Sequence, residues 1–195
     1  MKLLIAASVL SFLGNASTQA AECPDAQTAV KGFVAERAGA GKTEVFHVGK
    51  TDIRTIYRFG DRVLQETTLF QGLFELERIT EGKRVVHRPL AELSGKFPPI
   101  VGKTLTAKFE DTDAGQKATL TVALRVRKQD ALYIGPCQYK VLRIDRSAGY
   151  GNNSPQFLET DYYAPDLTFI IAKEYKEDNG STTLNKYDKI YPMNP

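Results

Sequence analysis

The sequence predicts a mainly β domain: a curved antiparallel sheet, a half-barrel or incomplete barrel, with one N-terminal amphipathic helix. Three observations point there. Residues 117–128 alternate with a period of two, Ala118, Leu120, Val122, Leu124 and Val126 on one face and Lys117, Thr119, Thr121, Arg125 and Arg127 on the other. Residues 104–110 do the same, with Leu105, Ala107 and Phe109 set against Thr104, Thr106 and Lys108. Asp178-Asn179-Gly180 separates two further strand-like stretches, and Asn-Gly is the preferred pair of a type I′ hairpin turn.

The chain opens with a different kind of segment. Lys2 precedes an apolar run from Leu3 to Leu13, and small and polar residues lead to Ala20-Ala21. That order is the pattern of a secretory signal peptide. The run is too short for a hydrocarbon core, which needs about 20 residues. Cleavage is expected after Ala20, with Ala21 as the alternative, because Thr18 is smaller than Gln19 in the outer recognition position. Glu22 stands directly before Cys23, where a lipoprotein signal carries a small residue. A soluble product without a lipid anchor is therefore expected. The division is residues 1–20 as signal and 21–195 as one β-rich domain. No internal repeat or long linker divides the remainder.

After Pro24, Asp25 is a candidate N-cap. Ala26, Ala29, Val30, Phe33, Val34 and Arg37 follow at helical spacing, so a helix is expected over 25–38, ended by Gly39 and Gly41. Strands are expected at 43–49, 53–59, 62–70, 73–80, 104–110, 117–128 and 137–145. Residues 111–115 read as the turn between two of them. Within 137–145 the apolar parity changes, from Cys137, Tyr139 and Val141 to Leu142 and Ile144. A bulge or two-sided burial would explain it. Ser147 to Pro155 reads as a surface loop. Leu167, Phe169 and Ile171 begin a late hairpin whose second strand runs from Ser181 to Ile190. A closed lipocalin-like barrel is the competing architecture.

Composition narrows function by exclusion. Lys2 is the one charge of the first twenty residues, so the formal balance of +3 falls to +2 after cleavage. Basic and acidic residues are interleaved, so nothing favours nucleic acid. Cys23 and Cys137 are the two cysteines, and export would expose both to oxidation; a Cys23–Cys137 disulfide is expected.

No motif specifies a catalytic, cofactor or metal site. Gly39-Ala40-Gly41-Lys42-Thr43 ends like a phosphate-binding loop, but Glu36 occupies the required earlier glycine position and the segment follows a predicted helix. Glu110, Asp111 and Asp113 lack the ligand number and closing glutamate of a calcium loop, and read as an acidic turn. The two histidines, His47 and His87, fall in separate segments with no nucleophile pattern beside them. Tyr150, Phe157, Tyr162, Tyr163, Phe169, Tyr175, Tyr187 and Tyr191 crowd the second half, as strand packing or as the lining of an apolar groove.

Three stretches carry a resemblance: Phe97-Pro98-Pro99-Ile100-Val101-Gly102-Lys103, Gly135-Pro136-Cys137-Gln138-Tyr139-Lys140-Val141 and Tyr163-Ala164-Pro165-Asp166-Leu167. They resemble turns and strands of uncharacterised bacterial periplasmic β-rich proteins, distantly similar to the lipoprotein-carrier half-barrels that bind acyl chains on a concave sheet. The resemblance covers the second half of the chain and brings no functional residue. It implies a periplasmic location, with secretion as the alternative. The expected function is a non-enzymatic binding or interaction protein for an apolar small molecule or an envelope protein. A hydrolase or isomerase whose site assembles only in three dimensions is the competing reading, and a structural component acting through a sheet edge is a third. An apolar cavity would favour the first, and a histidine converging with carboxylates in a cleft the second. The signal segment makes the first prediction: the intact mass of the exported protein lacks residues 1–20, whereas a mass retaining Met1 to Gln19 contradicts the reading.

Overall fold

The computed structural model describes residues 23–113, 116–151, 156–177 and 179–193; the side chains of 113, 116 and 156–158 lie outside that description. The cleavage residues Ala20 and Ala21, the Ala114-Gly115 tip, 152–155, Asp178 and the Phe157 side chain are likewise outside it.

One antiparallel sheet contains thirteen strands among the described residues. They are β1 (Phe33–Arg37), β2 (Gly41–Val48), β3 (Asp52–Phe59), β4 (Arg62–Phe70), β5 (Phe74–Thr80), β6 (Lys83–Pro89), β7 (Thr104–Asp113), β8 (Gln116–Ile134), β9 (Cys137–Tyr150), β10 (Gln156–Ala164), β11 (Phe169–Lys176), β12 (Thr182–Lys186) and β13 (Lys189–Pro192). β1 to β12 form a continuous meander, and β13 adds to the outer side of β1. The sheet is not closed into a barrel, because β12 and β13 end the ladder at opposite edges.

The expected helix over 25–38 is corrected. Helix α1 spans only Ala26–Ala29. Asp25 is its N-cap as expected: the carboxylate accepts from the backbone N–H of Gln27 and Thr28, at 3.0 and 2.9 Å. Gly32, at φ +96°, turns the chain out of the helix. The next five residues become β1, where the Val34–Glu44 and Val34–Tyr191 pairings place it between two strands. Apolar residues at 29, 30, 33 and 34 fit a helix, but 33 and 35 also alternate. Ladder bonds on both sides of β1 win.

Other differences have similar causes. Asp111 is not in a turn: β7 runs through it, paired with Ala118. Residues 147–150 are strand, not loop. β6 and β10 form where no strand was expected, and the expected 181–190 strand is divided at Tyr187-Asp188. The parity change in β9 is two-sided burial. Cys137, Tyr139 and Val141 join one apolar cluster with Phe33, Val45 and Ile53, while Ile144 joins another with Leu105, Phe109 and Leu124. A register shift at Val126/Lys128 in β8 lies beside this switch.

The expected apolar face of β7 and β8 is present. Leu105 pairs with Leu124, Ala107 with Val122 and Phe109 with Leu120, and all six belong to the second cluster or pack against it. Leu124 is fully buried. Leu120 is only partly so.

Turns of an antiparallel meander alternate between two ends. At one end Gly72, in the β4–β5 turn, has its Cα so near the Thr168 carbonyl that a Cβ would lie 1.9 Å from the oxygen. The same end holds α1 packed on the 3-10 turn Pro165–Leu167. At the other end the Tyr57 hydroxyl donates to the Ala40 carbonyl, tying the β1–β2 turn to β3.

The Cys23–Cys137 disulfide is formed, with Cα atoms 5.6 Å apart, across 114 residues of sequence. In the chain-entropy account a loop of that size removes roughly 4–5 kcal/mol from the unfolded state's advantage. Replacing both cysteines by alanine is expected to lower unfolding stability by about 4 kcal/mol in urea titration. An unchanged stability would show that the bond constrains neither state.

Candidate functional site

Strand alternation aims one set of side chains from each strand inward. Twelve of the thirteen strands, β1 to β12, contribute to the lining of one cavity of about 850 Å³. That lies within the roughly 300–1,000 Å³ range of small-molecule sites. Of its exposed lining residues, Arg37, Tyr150 and Tyr175 sit at strand ends beside the turns of the Ala40 end, and Asn185 and Lys186 lie on the edge strand β12. The cluster of Phe33, Val45 and Ile53 fills the space toward the Gly72 end.

The lining has three parts. Leu69, Leu73, Phe74, Phe109, Leu120 and Val122 supply an apolar part, extended by Phe169 stacked on Tyr187. Thr43, Thr55, Thr67, Gln65, Tyr57 and Tyr187 supply a neutral hydrogen-bonding wall from β2 to β4 and the β12–β13 junction. An ionic band crosses the opposite wall from β5 to β11.

Two networks make that band. Asp161 is fully buried, and its carboxylate lies 2.6 Å from Nη2 of Arg146 and accepts from Nε at 2.7 Å. Arg146 also donates to the Leu73 carbonyl at 3.0 Å and approaches Glu159 at 3.4 Å. Lys173 pairs with Glu159 and lies 3.2 Å from Asp161. In the second network Nε2 of His87 is 3.2 Å from Glu75, and Nδ1 is 3.4 Å from Asp111 Oδ1. The latter contact is an ion-pair distance without hydrogen-bond geometry, so both atoms lack a hydrogen bond. The other Asp111 oxygen accepts from the Tyr150 hydroxyl at 2.7 Å. Burial pushes the Glu75 carboxyl up, but the His87 hydrogen bond and the charges of Arg78, His87 and Arg146 outweigh it and hold it below the usual carboxylate value. On the neutral wall, burial pushes the Tyr187 phenol up, opposed by its bond to Thr43.

The two histidines do not meet. His87 lines the cavity; His47 bonds to the Leu167 backbone near the closed end, where burial lowers its pKa. Asp111, set aside as a turn residue, is an inward acid beside His87. The phosphate-loop lookalike is a turn and the start of β2, with strands on both sides. Of the late aromatics, Tyr150, Phe169, Tyr175 and Tyr187 line the cavity, while Tyr162 and Tyr163 are core. Tyr191 donates from the sheet edge to Glu36. Arg146, Asp161, Glu159 and Lys173 carried no sequence expectation. Their signal was parity: Arg146 continues the face of Ile144, and Asp161 that of Tyr163. Among the described residues no cluster of three or more His, Cys, Asp or Glu is arranged to hold a metal.

No protein-family model matches this chain, and no curated protein matches it in sequence. Among solved structures it is similar to the crystal structure of the hypothetical lipoprotein YmcC from Escherichia coli (K12), at 10% identity and a TM-score of 0.46, over 80% of this chain and 86% of that one.

The Arg146–Asp161 pair yields a stability prediction. Removing one partner of a buried pair strands the other charge, at about 3–5 kcal/mol. Arg146→Met is expected to lose stability of that order in chemical denaturation, and Arg146→Met with Asp161→Leu to recover most of it. A single variant as stable as the parent would show that water already reaches Asp161.

Proposed function

We propose that this chain is an exported binding protein that holds an apolar or amphipathic small molecule inside a curved sheet forming an incomplete barrel. The observation that carries the reading is the cavity to which twelve strands contribute, with an apolar part beside placed polar groups. Transfer of apolar ligand surface into it contributes about 25 cal/mol per Å² before ordering costs. Export rests on the N-terminal signal pattern, and the disulfide suits an oxidising compartment such as the periplasm. The disulfide also occupies Cys23 Sγ, the atom that lipid attachment would need, which supports a product without an anchor there.

One observation favours the enzymatic reading, namely His87 between two carboxylates in the cavity wall. General acid–base chemistry needs a group within hydrogen-bond reach of the substrate proton. Here Nε2 is engaged by Glu75, and Nδ1, though without a hydrogen bond, is buried 3.4 Å from Asp111 Oδ1, so each nitrogen abuts a carboxylate of the wall itself. Binding is therefore the stronger reading.

The test is occupancy of the cavity. An apolar fluorescent probe is expected to bind the folded protein and to be displaced by chain amphiphiles. Ala148→Phe, which fills space beside Val122, is expected to weaken the probe at least tenfold while the thermal midpoint holds. Unaltered probe binding in that variant would place the probe elsewhere and remove the carrier reading.

A further inference from the structure

The cavity divides the labour of its two polar walls, and that division specifies the head of the ligand. Resting on the binding reading above, we infer that the cavity takes an amphiphile with a neutral, hydroxyl-bearing head rather than a carboxylate, phosphate or ammonium.

The cations of the ionic band are already engaged from within. Arg146 is engaged by Asp161, Glu159 and a backbone carbonyl, Lys173 by Glu159 and Asp161, and Arg78 lies 3.5 Å from Glu75. Of the four carboxylates in the band, Glu75 and Glu159 line the cavity, each paired with its neighbours, while the buried Asp111 and Asp161 are not part of the lining. An anionic head would meet Glu75 and Glu159, and to engage Arg146 or Lys173 it would have to draw that cation from the fully buried Asp161, leaving its charge with one partner fewer. An ammonium head finds both lining carboxylates already paired, Glu75 with His87 and Arg78 and Glu159 with Arg146 and Lys173, and loses its own hydration. The remaining lining cations, Arg37 and Lys186, are exposed, so solvent screens their attraction for an anion, and Lys186 already donates to the Tyr133 carbonyl.

The neutral wall has hydrogen-bonding capacity left over. A threonine hydroxyl has one donor and two acceptor positions. Thr67 Oγ1 accepts one bond, from Gln65 at 2.9 Å, and keeps its proton to donate. Thr43 and Tyr187 share one bond at 3.1 Å, so each oxygen retains acceptor positions. Thr55 makes only a long contact, 3.5 Å, to the Thr67 carbonyl. All three threonines are buried and line the cavity. A buried hydroxyl wall with unspent positions rewards a polyol, which brings donors and acceptors and no charge. It is costly to fill with a purely apolar group. The neighbouring Phe169 and Tyr187 rings offer a flat apolar face to the head's carbon skeleton.

The test compares three chain-matched amphiphiles below their micelle concentrations: decyl β-glucoside, decanoate and decyltrimethylammonium, titrated calorimetrically at neutral pH in low and moderate salt. The glucoside is expected to bind at least tenfold tighter than either ion, with no salt dependence. Thr67→Val and Thr55→Val are each expected to weaken the glucoside severalfold while binding of the apolar probe is unchanged. Thr67→Ser, which keeps the hydroxyl, should restore it. Decanoate or the ammonium binding as tightly as the glucoside would overturn the head assignment and leave the cavity reading standing. Failure of the apolar probe and all three amphiphiles to bind would overturn both.

Discussion

Thr182–Lys186 pairs with β11, and Lys189–Pro192 pairs with β1, so strands at opposite ends of the sheet order are held two residues apart along the chain. Asp188 secures the junction. Its backbone N–H donates to the Glu36 carbonyl, and its carboxylate accepts from the Ala38 N–H at 2.8 Å. A single sheet with no second layer must bury its apolar face against itself, since α1 is one turn long and cannot cover it. Drawing β11 and β1 toward one segment makes that possible. The Cys23–Cys137 bond adds a second tie, between the residues before β1 and the start of β9.

Curving the sheet this far leaves more interior than the side chains fill. Toward the Gly72 end, Phe33, Phe169, Ile53 and Leu167 pack the space. Toward the Ala40 end the inward positions carry threonine, glutamine, tyrosine and charge instead. Buried charges are tolerable there because each meets a partner, and their removal from water is offset only by pairing of that quality. An apolar wall of the same volume would be at least as stable, but the ionic band keeps that side of the cavity from collapsing into core. Replacing it with leucine or phenylalanine would favour a filled interior.

Much of this was legible in residue alternation. The one-faced patterns at 104–110 and 117–128 locate β7 and β8 and their shared face, because a period of two over many residues has one structural solution. Even the inward acid could be read, since Leu105, Ala107, Phe109 and Asp111 form one unbroken parity. What alternation does not encode is which strands meet. His87 and Asp111 are joined by the pairing of β6 with β7, and Arg146 reaches Leu73 across 73 residues of sequence. β1 was hidden because its apolar residues satisfy the helical period too; the deciding residue was Gly32. The stretch 181–190 has the composition of one strand, and its division depends on Asp188 finding Glu36 and Ala38, a contact set by the whole fold.

The central claim is that ligand enters the sheet's interior rather than adhering to its outside. Methyl-resolved NMR during titration with the decyl glucoside tests this directly. The account predicts shifts at Leu69, Leu120, Val122 and Ile170, which line the cavity, with Val30, Val48, Leu90 and Ile100 on the exterior unmoved. Shifts confined to the exterior set would contradict it.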